Sequence, residues 1–202
     1  PERLRLQGVA ASRVDPALAA AEIGKAIAAK LKLNGPVLLG DFFGDIYLDR
    51  ALKPADRARV LREAVAAYRA HPQVEAVFTA AQLVRTALPT AGPDRWSMIE
   101  RARASFDPGR SGDLVVLLRR NVTPIAKPSR TFTATHGSPW DYDRRVPILF
   151  WRPGMTPADR EEAIETVDIM PTLAAMLRVP IRSGSVDGKC LAGVMGIACP
   201  SR

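Results

Sequence analysis

The segment Gly112-Asp113-Leu114-Val115-Val116-Leu117-Leu118 sets the architecture. Five apolar residues follow a Gly-Asp pair without the alternation of a half-exposed strand. The run is too short for a typical helix. It reads as a strand covered on both faces. Asp107-Pro108-Gly109 supplies the turn that precedes it. A second apolar run, Val146-Pro147-Ile148-Leu149-Phe150-Trp151, reads as another strand, ended by the turn at Pro153-Gly154. Between the two runs lies Ala134-Thr135-His136-Gly137-Ser138-Pro139-Trp140-Asp141-Tyr142-Asp143, which holds one of only two histidines.

Working towards the N-terminus, Asp15-Pro16 opens a helix, with Asp as the cap and Pro in the first turn. Leu18, Ile23, Ile27 and Leu31 recur at helical spacing until Asn34-Gly35-Pro36. Residues 37–40 and 46–48 predict a hairpin. Lys53-Pro54-Ala55-Asp56 starts a second helix with an apolar face at Val60, Leu61, Ala64, Val65 and Tyr68, closing before His71-Pro72. Residues 74–78 alternate as a strand, and Thr79 caps a short helix through Val84. Trp96 and Ile99 begin another helix, running to Ala104. Residues 121–133 read as a loop. Residues 165–173 end in a helix, followed by a Gly-rich tail. Alternating strands and helices predict an α/β fold with a mixed sheet.

Composition narrows the function. Of 202 residues, 47% are hydrophobic and 25% charged, so the chain is composed like a globular protein rather than a disordered one. No apolar run reaches the ~20 residues that span a bilayer, so stable membrane insertion is not expected. The net charge of +8 suits nucleic acid or phosphorylated substrates. Its arginines are scattered along helix faces and no basic block is interleaved with aromatics, so nucleic acid is not the expected partner. Cys190 and Cys199, the only cysteines, flank Gly193 and Gly196. A local disulfide fits, and with it an oxidising compartment; two unpaired thiols are the alternative. Zinc lacks the close spacing it prefers at such a pair. The N-terminus carries no signal-peptide h-region and no initiator Met, and the chain reads as one cut from something longer.

Among chemical candidates, a lone loop histidine such as His136 is by residue type first a structural or surface residue; Gly137 beside it makes a metal ligand the competing role, since glycine permits close approach. A carboxylate hydrogen-bonded to its other ring nitrogen would fix the tautomer. Asp141 and Asp143 are near enough in sequence to serve; turn formation and pairing with Arg144 or Arg145 is the competing role. His71 suits a helix C-terminus. Thr133, Thr135 and Ser138 are hydroxyls without the third group a hydrolytic triad needs. Asp168 reads as a helix cap, and Asp41 and Asp45 as loop carboxylates.

Three stretches carry a resemblance: Gly112–Val116, then Thr135–Asp143 with Val146–Phe150, and then Glu165–Leu173 with Asp187-Gly188-Lys189. Together with the hairpin around Ile46-Tyr47-Leu48-Asp49 they resemble the C-terminal half of bacterial periplasmic alkaline phosphatases. The similar branch has a threonine nucleophile and is akin to nucleotide pyrophosphatase/phosphodiesterases. The resemblance implies that residues 1–202 are one portion of a larger domain built on a mixed, mainly parallel sheet with flanking helices. It implies a zinc-dependent enzyme hydrolysing phosphate monoesters through a phospho-threonine, with two zinc ions per full-length molecule. Of the family's zinc ligands it places one here, His136, with Asp141 and Asp143 as supporting residues. The nucleophile and the Asp-His-Gly ligand pair have no counterpart in this sequence. The expected partners are therefore phosphorylated small molecules and the missing N-terminal half, and the chain alone is expected to be inactive. Leu114–Leu118 and Val146–Trp151 are expected to be short of cover without that half. A phosphodiesterase of the same superfamily, or a non-catalytic binding module that keeps the sheet, are the alternatives.

Overall fold

A computed structural model describes residues 1–182 and 184–199. The chain forms two compact units, residues 1–89 with 97–145 and residues 90–96 with 146–202.

The first unit contains α1 (Glu2–Leu6), β1 (Ser12–Arg13), α2 (Ala20–Leu31), β2 (Leu38–Gly40), β3 (Gly44–Leu48), α3 (Pro54–Ala70), β4 (Val74–Thr79), α4 (Ala80–Arg85), α5 (Met98–Ala104), β5 (Leu114–Leu118), β6 (Val122–Thr123) and α6 (Asp141–Arg144). Its main sheet has the order β2-β3-β5-β4. The Asp15 side chain accepts from the Ala17 amide, but it caps a separate 3-10 turn, Pro16–Leu18; the helix expected from Asp15-Pro16 starts only at Ala20, after Ala19, which makes no side-chain cap. Thr79 and Gln82 close a reciprocal capping box on α4.

The period-2 geometry of strands divides the side chains between two faces. On one face, Leu38, Ile46, Leu48, Val77, Val116 and Leu118 pack with Ile27 of α2 and Val60, Ala64 and Tyr68 of α3. On the other, Leu117, Phe78 and Val115 pack with Leu83 of α4 and with Ala102 and Phe106. Both faces of β5 are thus covered within the chain. The expected shortage of cover at Leu114–Leu118 does not arise, because α3 and the α4–α5 pair flank this strand. Each fully buried aliphatic side chain contributes roughly 1.5–3 kcal/mol.

The Gly-Asp pair before β5 is structural. A Cβ on Gly112 would lie 2.6 Å from the Ile46 carbonyl oxygen, so only glycine lets the chain pass β3 here. Asp113 accepts from the Leu48 amide at 2.8 Å and from Arg57 at 3.0 Å, tying the strand start to β3 and α3.

The mixed α/β class is observed, with parallel and antiparallel pairing both present. A mainly parallel sheet was expected for the larger domain; within this chain the four-stranded sheet is antiparallel throughout. The short link between β2 and β3 is a hairpin and so joins them antiparallel, while β5 pairs antiparallel with β3 and β4 across long connections. The parallel pair is β1 with β6, Ser12 opposite Val122 and Arg13 opposite Thr123. It falls inside the stretch read as loop, following a left-handed turn at Asn121.

The second unit is built differently. It holds α7 (Ile169–Met176), preceded by a 3-10 turn at Thr166–Asp168, and a 3-10 turn at Ala192–Met195. Residues 146–151, expected as a strand, form none. A strand needs a neighbour for its amides and carbonyls, and the described residues of this unit supply no such partner. Leu149 and Trp151 are instead 89% and 75% exposed.

Polar ties hold this unit together. The buried Asp168 carboxylate accepts from the Glu165 amide at 3.0 Å and from the Lys189 amide at 2.6 Å. The buried Thr172 hydroxyl donates to the Asp168 carbonyl and accepts from the Leu191 amide at 2.9 Å. A Cβ on Gly188 would collide with the Val167 carbonyl. Asp168 stands at the N-cap position of α7, as expected, but its carboxylate makes no cap bond to that helix; it closes the capping box of the preceding 3-10 turn and clamps the tail. Cys190 and Cys199 form a disulfide.

Candidate functional site

His136 lies in an exposed loop, residues 130–137, between β6 and α6. Gly137 has φ of 101°, a conformation open to glycine and strained for side-chain-bearing residues, so it lets the loop reverse beside the imidazole. With Asn121, Thr123, Thr135, Ser138 and Tyr142, His136 lines a cleft of about 250 Å³. Its imidazole has no hydrogen-bond or ion-pair partner among the described residues.

The segment after the loop is fixed more firmly. The Trp140 indole donates to the Leu118 carbonyl at 3.0 Å, which ties it to the end of β5. Arg101 of α5 donates to the Pro139 carbonyl at 2.8 Å. Asp143 accepts from the Ser138 amide at 2.9 Å, closing a turn directly behind His136-Gly137. Asp141 sits between two guanidiniums, at 3.3 Å from Arg144 and 3.4 Å from Arg101. Burial and the Arg101 charge pull Arg144 below its usual value, and Asp141 opposes them. Asp141 thus pairs with Arg144, the competing role that the sequence offered, while Asp143 shapes the turn. Neither carboxylate bonds to the imidazole.

Two residues of the cleft, Asn121 and Tyr142, carried no signal of this role in the sequence. Asn121 immediately precedes β6 and lines the cleft; its residue type, suited to the left-handed backbone it adopts, was the available clue. Tyr142 accepts from the Asn121 amide at 3.2 Å, and Arg120 lies 6.0 Å from its ring. The remaining candidates lie elsewhere. His71 caps α3, with Asp15 at 3.5 Å. Asp45 accepts from the Gly112 amide at 2.7 Å, a use in folding.

The donor set does not fit zinc unaided. Among the described residues there is no group of three or more His, Cys, Asp or Glu side chains able to hold a metal ion. A zinc site takes at least three protein ligands. The Thr135 hydroxyl donates to the His136 backbone carbonyl at 3.5 Å, and among the described residues neither it nor Ser138 bonds to the imidazole that would activate a nucleophile.

No family model matches the chain. It is 49% identical over 195 residues to alkaline phosphatase PhoD of Zymomonas mobilis, a match covering 95% of this chain and 34% of that protein. It is 48% identical over 200 residues to alkaline phosphatase PhoK of Sphingomonas sp, covering 97% of this chain and 36% of that one. The chain therefore spans about a third of the length of these relatives. Among solved structures, wild-type alkaline phosphatase PafA superposes with a TM-score of 0.74 at 19% identity, over 96% of this chain and 35% of that one. This second likeness speaks to fold. The resemblance to the C-terminal part of bacterial alkaline phosphatases thus holds in sequence and in fold over nearly the whole of the chain.

Proposed function

We propose that this chain is the C-terminal part of a zinc-dependent alkaline phosphatase that hydrolyses phosphate monoesters through a phospho-threonine intermediate. Its two units would then be one portion of a single larger domain. The match to PhoD over 95% of the chain carries this reading. His136 is the proposed zinc ligand. Its imidazole has no partner among the described residues, which leaves a ring nitrogen available to a metal. Asp143 supports it by holding the turn at Ser138, and Asp141 by anchoring the segment to Arg101 and Arg144. The other ligands and the threonine would come from outside this chain, so the isolated 202 residues are expected to be inactive. The exposed Leu149 and Trp151 fit a surface that the remainder of the protein covers. The disulfide fits a periplasmic or secreted enzyme. No described helix is long and apolar enough to cross a membrane.

The test is zinc content and p-nitrophenyl phosphate turnover, measured on the 202-residue chain and on the full-length protein. Stoichiometric zinc with turnover in the short chain would contradict an incomplete site. In the full-length protein His136→Ala should lower zinc occupancy and cut turnover by about 100-fold or more, beyond the usual loss for supporting residues. Unchanged values would remove His136 from the site.

A further inference from the structure

The second face of the antiparallel sheet is only half covered. The α4–α5 pair packs on Phe78, Val115 and Leu117 of β4 and β5. Over β2 and β3 the same face leaves Leu39 and Tyr47, directly opposite in register, exposed. This uncovered half is the floor of a cleft of about 620 Å³, within the roughly 300–1,000 Å³ range of small-molecule sites.

The cleft is rimmed by arginines of unequal status. Arg57 is engaged, bonded to Asp113 and to the Asp49 carbonyl. Asp113 is in turn satisfied by Arg57 and the Leu48 amide, so this pair adds no net charge. The guanidiniums of Arg50 and Arg110 have no partner among the described residues. Nearby carboxylates are bonded elsewhere, Asp107 to the Gly109 amide and Asp45 to the Gly112 amide. The loop bearing Arg110 is also held in place. The Ser111 amide donates to the Asp107 carbonyl at 2.8 Å, and the Tyr47 hydroxyl donates to the Arg110 carbonyl at 2.9 Å. A fixed loop thus presents an unneutralised guanidinium beside an exposed aromatic ring.

We propose that this cleft binds a small organic anion made of a planar ring and a phosphate, of nucleoside monophosphate type. The ring lies on Tyr47 and Leu39, and Arg50 and Arg110 take the oxyanion, for which the guanidinium fork is shaped. All of these groups belong to the first unit, and the proposal does not depend on the zinc chemistry proposed above.

The test is calorimetry on the full-length protein with the non-hydrolysable methylenephosphonate analogue of adenosine 5′-monophosphate, run beside inorganic phosphate. In the Arg50→Ala/Arg110→Ala variant one binding event for the analogue should weaken by about tenfold or more, the loss expected for charge-assisted hydrogen bonds. Turnover of p-nitrophenyl phosphate should stay unchanged. Neither guanidinium holds the fold, and circular dichroism verifies that the variant is native. Analogue binding that is equal in the variant and the parent overturns the site. So does a parallel loss of turnover, which would make these arginines part of the catalytic centre. Tyr47→Leu should weaken the analogue and leave inorganic phosphate unaffected; equal affinities for the analogue in Tyr47→Leu and the parent overturn the ring-binding role.

Discussion

The two units of this chain solve the same problem by different means. In the first, helices cover one face of a four-stranded sheet and the β4–β5 half of the other, and its largest buried side chains, such as Leu114, Ile46 and Tyr68, are fully enclosed. In the second, the buried set includes the polar Asp168 and Thr172, and a disulfide closes the tail. Large apolar residues there, including Leu149, Trp151, Met170 and Leu177, remain exposed. Hydrophobic burial suffices where strands and helices alternate and cover one another. Where the apolar segments find no partner, hydrogen bonds and a covalent link hold the chain. The second unit thus has apolar side chains available for another part of the protein.

The contrast is open to direct attack. Leu114→Ala should cost about 2–5 kcal/mol, read as a lowered urea midpoint, because it empties a fully enclosed site. Leu149→Ala should cost under about 0.5 kcal/mol in the 202-residue chain, as an exposed position does. In the full-length protein the same change should cost far more, if the remainder covers it. Equal small losses in both would end the idea that this segment docks.

Reduction of Cys190–Cys199, or Cys190→Ser with Cys199→Ser, should cost about 2–3 kcal/mol by the loop-entropy estimate for so short a loop. Limited proteolysis should then cut the tail and leave the antiparallel sheet intact. Thr172→Val should cost about 1–3 kcal/mol, since it strands the buried Leu191 amide. If the tail stays protease-resistant in that variant, the polar clamp is not what holds the second unit.

The smallest effect concerns Tyr68. Its hydroxyl is buried without a hydrogen-bond partner among the described residues, and burial pushes the phenol above its ordinary value. The unfolded chain ionises near pH ~10 while the folded chain holds its proton. The stability this provides is present below that pH and declines as pH rises through it. Tyr68→Phe should flatten the alkaline limb and leave neutral stability equal or slightly higher. A steep alkaline loss that persists in the variant would assign it to another group.

Much of the first unit was legible beforehand. The Val60-Ala64-Tyr68 stripe, the Thr79 cap and the Leu114–Leu118 run are local signals, and each specified its element. The His136-Gly137 loop was legible as a candidate through residue type and resemblance. The β1–β6 pair was not, because two-residue strands leave no period to read. Nor was the arginine cleft, whose residues come from three separated stretches of chain. The run Val146–Trp151 carried a strand signal that the described structure does not realise, since β-propensity expresses itself only when a neighbour pairs.

By itself the sequence determined the places of most helices and strands and the resemblance to alkaline phosphatases, and it singled out His136 as a candidate. These follow from short-range chemistry: caps, turn residues, apolar periodicity and motif spacing. Tertiary structure alone decided that the sheet is antiparallel and covered on both faces around β5. It also decided that Asp113 and Asp168 are bonded to backbone amides, and that Arg50 and Arg110 have no ion-pair partner among the described residues beside the open half-face. Those outcomes depend on which distant groups meet, and the free energy of a carboxylate or guanidinium is set by the partner it finds rather than by its neighbours in sequence.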